Sequence, residues 1–304
     1  MTVRLPVAFL GLGVMGAPMA VNLANRGFPV IAWNRTPDRP GVILAQQAGV
    51  KVVSTLAEAV ADCSFIFTCL GDVPDVETVL LGEQGVVHSA RPQSLIVDFS
   101  TIGAQAAQAI AAQLKEHQLR FLDAPVSGGD IGAKQGTLTI MVGGEPRDFE
   151  QVKPYLEALG KAIYYCGPGG SGQAVKLCNQ VLAALNMVGL CEAITLAEQQ
   201  SIDPQLMIEV CSTGAAGSWA LSHLAPKMVQ QDLAPGFMVK HILKDLRLVQ
   251  ETLATSLPGL SLAEAKFQQV AQLDQGPEQG TQAMIRAYQT GDKGNTAPTP
   301  DFLA

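Results

Sequence analysis

The sequence predicts an α/β fold, in which an N-terminal doubly wound parallel sheet is followed by an all-α C-terminal domain. Short apolar strands alternate with helical segments as far as Tyr165, the pattern of a parallel sheet covered by helices on both faces. A glycine-rich break at residues 166–172 ends this pattern. Beyond it, residues 173–200 are predicted to form one helix that is apolar on most faces, with no strand after it. We therefore expect a long interdomain helix between the sheet and the helical domain.

The individual elements follow from apolar runs and from the turn residues between them. Strands are predicted at residues 6–10, 29–33, 51–53, 63–69, 94–99, 120–123, 137–142 and 162–165. Helices are predicted at residues 18–25, 41–48, 56–60, 73–80, 105–116 and 147–159, then at 173–200, 204–211, 219–230, 241–255, 261–272 and 280–288. The expected domains are a sheet domain at 1–167, a helical substrate and oligomerisation domain at 168–290, and a loose polar tail at 291–304.

The composition argues against some classes of partner. The chain has 304 residues, of which 48% are hydrophobic and 15% charged, so it can bury a large core. Its net charge of −7 repels a phosphate polymer, and we expect no nucleic acid partner. A small anionic ligand would therefore have to be bound by local positive groups.

The sequence also predicts the cellular compartment. The N-terminal residues lead directly into the first predicted strand, without the features of a signal or transit peptide. No apolar run is expected to span a bilayer. The six cysteines are scattered without a C-x-x-C pair, which is typical of buried, reduced thiols. We expect a cytoplasmic protein with no membrane partner.

A phosphate-binding turn is predicted where the first strand ends. The apolar residues Val7–Leu10 lead into G-x-G-x-x-G, and a second strand follows at the required distance. The first glycine permits the turn, the second lets the backbone approach a pyrophosphate, and the third packs the helix on the strand. The following helix presents its positive N-terminal end to the phosphates. This context favours a Rossmann-type dinucleotide site over a structural turn, formed by Gly11, Leu12, Gly13, Val14, Met15 and Gly16.

The end of the second strand indicates which dinucleotide binds. NAD sites usually have an acidic residue here for the ribose hydroxyls, whereas this chain has the neutral Asn34. Arg35 offers a planar charged group for a 2′-phosphate, and Thr36 offers a hydroxyl. These residues predict NADP(H) as the cofactor. The alternative is that Arg35 is a solvated loop residue that stacks on the adenine.

A second candidate site follows the strand at residues 120–123. Ser127, Gly128 and Gly129 offer a hydroxyl and backbone N–H groups, which suits a carboxylate ligand. They also lie at the carboxyl end of a strand, where open sheets bind ligands. By themselves, these residues are equally compatible with an ordinary loop.

A third candidate lies in the long helix. Lys176 and Asn179 are three residues apart, so they share a helix face that is otherwise apolar. Burying a lysine ammonium on an apolar face costs free energy, unless the group is paired, solvated or needed for function. The alternative is a lysine whose head extends to solvent, but a helix N-terminus is unfavourable for a cation. We therefore favour a functional role for Lys176.

A fourth segment, residues 237–246, begins a charged helix. Lys240 and Lys244 are one turn apart, and Asp245 follows directly. These residues alone indicate no chemistry, and His241 is predicted to be structural. The four histidines lack the spacing of metal ligands, so no metal site is expected.

These motifs occur in the order found in the β-hydroxyacid dehydrogenase family, which the chain resembles from Val7 to about Tyr288. G-L-G-V-M-G-A-P-M resembles the family's cofactor loop, and D-A-P-V-S-G-G resembles its substrate loop. G-x-x-G-x-G-x-x-x-K-x-x-N resembles its catalytic helix, and K-D-L resembles a segment that closes on the cofactor. The family includes 3-hydroxyisobutyrate dehydrogenase, tartronate semialdehyde reductase and glyoxylate/succinic semialdehyde reductase.

The resemblance implies a role for each matching residue. Lys176 would be the catalytic lysine, and the cofactor would also contact Leu70, Thr101 and Lys244. The substrate would be bound by Ser127, Gly128, Gly129, Asn179, Thr101, Phe237 and Asp245.

The implied reaction is the NADPH-dependent reduction of a small semialdehyde or 2-oxo acid to the hydroxy acid, reversible as a 3-hydroxyacid dehydrogenase. Protonated Lys176 would stabilise and protonate the carbonyl oxygen. Glyoxylate, succinic semialdehyde and tartronate semialdehyde fit this class, and the sequence does not select among them.

Two alternatives are an imine reductase-like enzyme and a non-catalytic NADP-binding module, and Lys176 disfavours both. A phosphogluconate-type decarboxylating enzyme would need a longer and more basic helical domain. The long apolar helix needs cover on several sides, so we expect a homodimer or homotetramer.

Overall fold

A computed structural model describes residues 5–289, which form two compact units that divide between Asn179 and Gln180. The predicted tail lies outside the described residues. The first unit contains nine strands: β1 (Val7–Leu10), β2 (Val30–Trp33), β3 (Lys51–Val52), β4 (Phe65–Thr68), β5 (Leu95–Asp98), β6 (Arg120–Asp123), β7 (Val126–Ser127), β8 (Leu138–Gly143) and β9 (Gly160–Gly167). The predicted α/β class is confirmed.

The strands form one sheet in the order β3-β2-β1-β4-β5-β6-β8-β7, with β9 paired to β8. Strands β1 to β6 are parallel. The sheet is mainly parallel, as predicted, but β8 runs antiparallel to both β6 and β7, which was not predicted. Strand β7 and a short helix after it were not predicted. Ten residues, 128–137, connect β7 to β8, which is fewer than the dozen or more that a parallel crossover needs.

Helices cover both faces of this sheet. They are α1 (Gly16–Asn25), α2 (Pro40–Gln47), α3 (Leu56–Val60), α4 (Val73–Leu81), α5 (Ala104–Glu116), α6 (Gly129–Gln135) and α7 (Pro146–Leu156), with a 3₁₀ turn at Val86–His88. Successive strand residues point to opposite faces, so Val7 and Phe9 join one buried cluster while Ala8 and Leu10 join the other. This double burial explains why the strands are continuously apolar.

Helix α8 (Ser171–Gln199) begins in the first unit and continues into the second. The second unit continues with α9 (Pro204–Ser212), α10 (Trp219–His223), α11 (Ala225–Val229), α12 (Val239–Thr252), α13 (Pro258–Ala271), 3₁₀ turns at Gly276–Glu278 and Thr281–Ile285, and α14 (Arg286–Gln289). Where one helix was predicted over 219–230, there are two. Pro226 lacks an N–H and its ring clashes with the preceding turn, so the helix is interrupted near Leu224.

No apolar run was expected to reach the length of a membrane span, but by length and composition helix α8 is long and apolar enough to cross a bilayer. Its most apolar 18-residue window has a mean hydropathy of 1.6, and 44% of that window is buried within the chain. A core helix of a soluble protein has the same properties, so this is weak evidence for a membrane span.

An ion pair between β6 and α7 gives a stability prediction. The Arg120 guanidinium pairs with the buried Asp148 and donates two further hydrogen bonds to the Gln93 carbonyl. We expect Arg120→Ala to lower the free energy of unfolding by about 2–4 kcal/mol, because it leaves a buried carboxylate without its partner. Denaturant unfolding measures this change.

Arg91→Ala is the matched control. Arg91 pairs with Asp62, but both side chains are more than half exposed. Its loss should cost no more than about 1 kcal/mol. Equal losses of unfolding free energy in the two variants would contradict the prediction that the Arg120–Asp148 ion pair stabilises the fold.

Candidate active site

The predicted phosphate-binding turn is closed on one side and open on the other. A Cβ at Gly16 would lie 2.0 Å from the Gly11 carbonyl oxygen, whereas a Cβ at Gly13 would meet nothing within 4 Å. Helix α1 follows with neither a side-chain cap nor an acidic residue in its first turn. An open backbone beside an uncapped helix N-terminus fits the pyrophosphate of a nicotinamide dinucleotide.

The end of β2 is tied to this turn. Asn34 Oδ1 accepts a 2.8 Å hydrogen bond from the Leu12 N–H, and Asn34 Nδ2 donates to the Thr36 carbonyl at 2.7 Å. Asn34 therefore stabilises the glycine turn, a role that the sequence interpretation did not assign to it. Arg35 is largely exposed, and its Nη1 lies 2.6 Å from Asp75 Oδ1. A guanidinium has five N–H donors, so this pairing leaves several for a phosphate.

The loops after β4 and β5 are joined by a buried network around Asp98. Asp98 Oδ1 accepts hydrogen bonds from Thr68 Oγ1 at 2.7 Å and from Ser100 Oγ at 2.6 Å. Ser100 Oγ in turn accepts from the Leu70 N–H at 2.9 Å. Burial raises the pKa of Asp98, and its hydrogen bonds with Ser100 and Thr68 oppose that shift. The network places Leu70 and Thr101, both predicted cofactor contacts, on adjoining loops.

Asp123, at the end of β6, binds the start of α8. Its carboxylate accepts from the Gly170 N–H at 2.7 Å and from the Gln173 N–H at 2.9 Å. Burial raises the pKa of Asp123, while these backbone N–H groups act in the opposite direction. An acidic side chain at a helix N-terminus satisfies donors that the helix leaves unpaired. The helix that carries Lys176 is thus anchored to the sheet.

Lys176 lies on an anchored face of α8. Its side chain is buried, with 7% of the residue exposed. Gln173 precedes it by three residues and binds the loop at 100–103, while Asn179 follows by three. Ser127 Oγ lies 3.3 Å from Asn179 Oδ1, so the predicted substrate loop is in contact with the lysine-bearing helix. The structure therefore brings Ser127, Asn179 and the helix face of Lys176 together.

The remainder of the predicted substrate loop has accessible backbone. Gly128 and Gly129 have φ values of 130° and 62°, which favour glycine. A Cβ on Gly129 would meet nothing within 4 Å. The next residue is Asp130, whose carboxylate was not considered in the sequence interpretation of this loop. Lys134 Nζ lies 2.8 Å from Asp130 Oδ2 and offsets its negative charge. This loop can offer its donors to an anionic ligand.

The second unit carries three more predicted site residues. Asp245 is buried, and its two oxygens lie 2.8 Å from Lys244 Nζ and 2.5 Å from Gln180 Nε2. Phe237 packs near His241 with ring centroids 5.9 Å apart. Burial lowers the pKa of His241, and the neighbouring Lys240 and Lys244 lower it further. The His241 imidazole is therefore neutral at neutral pH, and its structural role stays a prediction.

The comparisons with known proteins cover both units. Residues 6–167 match the model of the NAD binding domain of 6-phosphogluconate dehydrogenase. Residues 170–288 match the model described as NAD-binding of NADP-dependent 3-hydroxyisobutyrate dehydrogenase. The chain belongs to the 3-hydroxyisobutyrate dehydrogenase family.

Individual members of the family match over almost their whole length. An uncharacterised oxidoreductase of Synechocystis is 56% identical, with 93% of this chain and 97% of the relative covered. The 2-hydroxy-3-oxopropionate reductase of Escherichia coli is 35% identical, with 93% and 97% covered. The 3-hydroxyisobutyrate dehydrogenase of Mycobacterium tuberculosis, solved with L-serine, is 32% identical with a TM-score of 0.82, and 94% and 99% of the two chains are covered.

Members of the 3-hydroxyisobutyrate dehydrogenase family are hydroxyacid dehydrogenases that use a nicotinamide cofactor, so this chain is an oxidoreductase that acts on hydroxyl groups.

The sequence interpretation missed the residues that support its predicted site: Asp98, Ser100, Asp123 and Gln173. The available signal was an aspartate ending each of two apolar strands, β5 and β6.

Proposed function

We propose that this chain reduces a small semialdehyde or 2-oxo acid to the hydroxy acid with NADPH, and that Lys176 is the general acid. The observation that carries the proposal is the position of Lys176 on a buried helix face between Gln173 and Asn179. A buried ammonium is costly, so it is expected where charge develops during a reaction. Family membership supports the reaction class.

The residues divide the chemistry between them. Bound NADPH supplies the hydride. The Lys176 ammonium stabilises the negative charge that develops on the substrate oxygen and donates a proton to it. In the oxidative direction, the neutral amine removes the hydroxyl proton. Ser127 and the Gly128 and Gly129 backbone bind the substrate carboxylate, while Asn179 orients the substrate.

A substrate panel tests the proposal. NADPH consumption would be followed with glyoxylate, succinic semialdehyde, tartronate semialdehyde and uncharged aldehydes of equal length. We expect turnover only where the substrate has a carboxylate, because the loop at 127–129 offers hydrogen-bond donors to an anion. Turnover of none of the acids would contradict the proposed function.

The NADPH preference depends on Arg35. We expect Arg35→Ala to weaken NADPH binding about tenfold, because one charge-assisted hydrogen bond is worth about 1.5 kcal/mol or more. NADH has no 2′-phosphate, so its dissociation constant should change less than about threefold. Fluorescence titration with each cofactor measures both.

The exposed Arg39, four residues further on, provides the control, and Arg39→Ala should leave both dissociation constants unchanged. Equal affinity of the unaltered protein for NADPH and NADH would contradict the preference. Such a result would assign Arg35 to the ion pair with Asp75 alone.

We also propose that the chain forms a homodimer or homotetramer. Leu182 and Leu196 of α8 are 65% and 59% exposed in the single chain, which leaves apolar surface on a long helix. Light scattering at micromolar concentration tests this. A mass of 31.9 kDa would indicate a monomer and contradict the proposal.

A further inference from the structure

We propose that Gln173 is a positioning residue that holds the Lys176-bearing helix against the loop carrying Thr101, and thereby sets where the lysine ammonium meets the substrate. The proposal depends on the proposed role of Lys176 as general acid. It adds a residue for which the sequence pattern predicts no role, because Gln173 occupies a variable position of the helix motif.

The side chain of Gln173 uses both ends of its amide. Oε1 accepts hydrogen bonds from the Ile102 N–H at 3.0 Å and the Gly103 N–H at 3.1 Å. Nε2 donates to the Ser100 carbonyl at 2.8 Å. The residue is fully buried, so water cannot replace these partners. A carboxamide is suited to this place because it presents one acceptor and donors together.

The main chain of Gln173 is bound as well. Its N–H donates to Asp123 Oδ2, and the Gly170 N–H donates to Asp123 Oδ1. The backbone is therefore anchored to the end of β6, while the side chain is anchored to the loop after β5. Ser100 extends the connection, because its Oγ accepts from the Leu70 N–H on the loop after β4. One residue of α8 thus joins three strand ends.

The hydrogen bonds of Gln173 also restrict the position of Lys176, because the two residues lie on the same face of α8. Residues three apart lie on the same face of a helix, so Gln173, Lys176 and Asn179 follow one another along it. Asn179 is within 3.3 Å of Ser127, which binds the other end of the face to the substrate loop. Lys176 therefore lies between two bound neighbours. Loosening one of them displaces the ammonium relative to the loop that carries Thr101.

Two substitutions test the inference. Gln173→Met keeps the size of the side chain but removes all three hydrogen bonds, and we expect kcat to fall at least about tenfold, since an ångström of misplacement at a reacting centre can cost about a hundredfold. The dissociation constant for NADPH should change less than about threefold. Gln173→Glu keeps the acceptor but can donate to the Ser100 carbonyl only when protonated. The ratio of its kcat to that of the unaltered protein should therefore rise several-fold as the pH falls from 8 to 6.

Gln108→Ala is the matched control. Gln108 Nε2 donates to the Gly169 carbonyl at 2.9 Å, so it binds the turn before α8 from the exposed side, whereas Gln173 binds the loop at 100–103. This variant should keep the kcat and the pH profile of the unaltered protein. A buried carboxylate also destabilises the fold at high pH, so the melting temperature of Gln173→Glu is measured at pH 6 and pH 8, and the positioning role requires the kcat ratio to change while the protein stays folded at both.

A measurement that needs no turnover separates this inference from the proposed function. Amide hydrogen exchange at Ile102 and Gly103 should accelerate at least about tenfold in Gln173→Met, with exchange in β1 and β4 unchanged. Unchanged exchange at those two amides, or a flat pH ratio for Gln173→Glu, would overturn the positioning role. Absence of activity on the whole substrate panel would instead overturn the proposed function, whatever the exchange shows.

Discussion

Replacing Lys176 with alanine is expected to lower kcat at least about a hundredfold, because a positioned general acid contributes a factor of about 10²–10⁴. The side chain is buried on α8, on the same helix face as Asn179, whose amide contacts the substrate loop. NADPH binding should persist, since the phosphate-binding turn lies elsewhere in the first unit. Steady-state kinetics and cofactor titration on the same preparation measure both effects.

Lys176→Arg should fail to restore activity, because a guanidinium retains its charge but does not release its proton. Lys161→Ala provides the control, since Lys161 is exposed on β9 of the same unit and should leave kcat unchanged. Near-full activity of Lys176→Ala would remove Lys176 from the mechanism. Loss of NADPH binding in that variant would indicate a structural effect instead.

The second large effect is expected at the phosphate-binding turn. Gly13→Ala should weaken NADPH binding at least about tenfold, because the added methyl occupies the open side from which the pyrophosphate approaches, and loss of a single charge-assisted hydrogen bond is worth about that factor. The melting temperature should stay unchanged, since a Cβ at Gly13 meets no protein atom within 4 Å.

Gly16→Ala supplies the contrast within the same motif. A Cβ there would lie 2.0 Å from the Gly11 carbonyl oxygen, so the melting temperature should fall together with cofactor affinity. Gly214→Ala in the second unit, where a Cβ also has open space, should change neither quantity. If Gly13→Ala bound NADPH as tightly as the unaltered protein, the pyrophosphate would not lie at this turn.

Local patterns allowed most of the fold to be predicted. The apolar runs at β1, β5 and β6 lie within a residue or two of the observed strands, because burial on both faces requires continuous apolar sequence. The antiparallel pairing of β8 was not predicted, since strand direction depends on where a short connection returns. The break between α10 and α11 could have been found from Pro226.

The candidate site was predicted in part. Gly13, Ser127, Lys176 and Asn179 were identified because their residue types occur at spacings that match a family's motifs. Gln173 was missed because its partners lie about 70 residues away in sequence, and no local pattern reports such a pairing. Asp75 likewise joins Arg35 across 40 residues, and this pairing enters the cofactor question only through the structure.

The sequence by itself determined the fold class, the nicotinamide dinucleotide site and the family, because each depends on residue types at fixed short spacings. The tertiary structure alone decided how the strand ends are connected: Asp98 to Thr68, Asp123 to the start of α8, and Gln173 to the Thr101 loop. The physical reason is that a buried polar group must find a partner wherever the fold brings one, and these partners are distant in the chain.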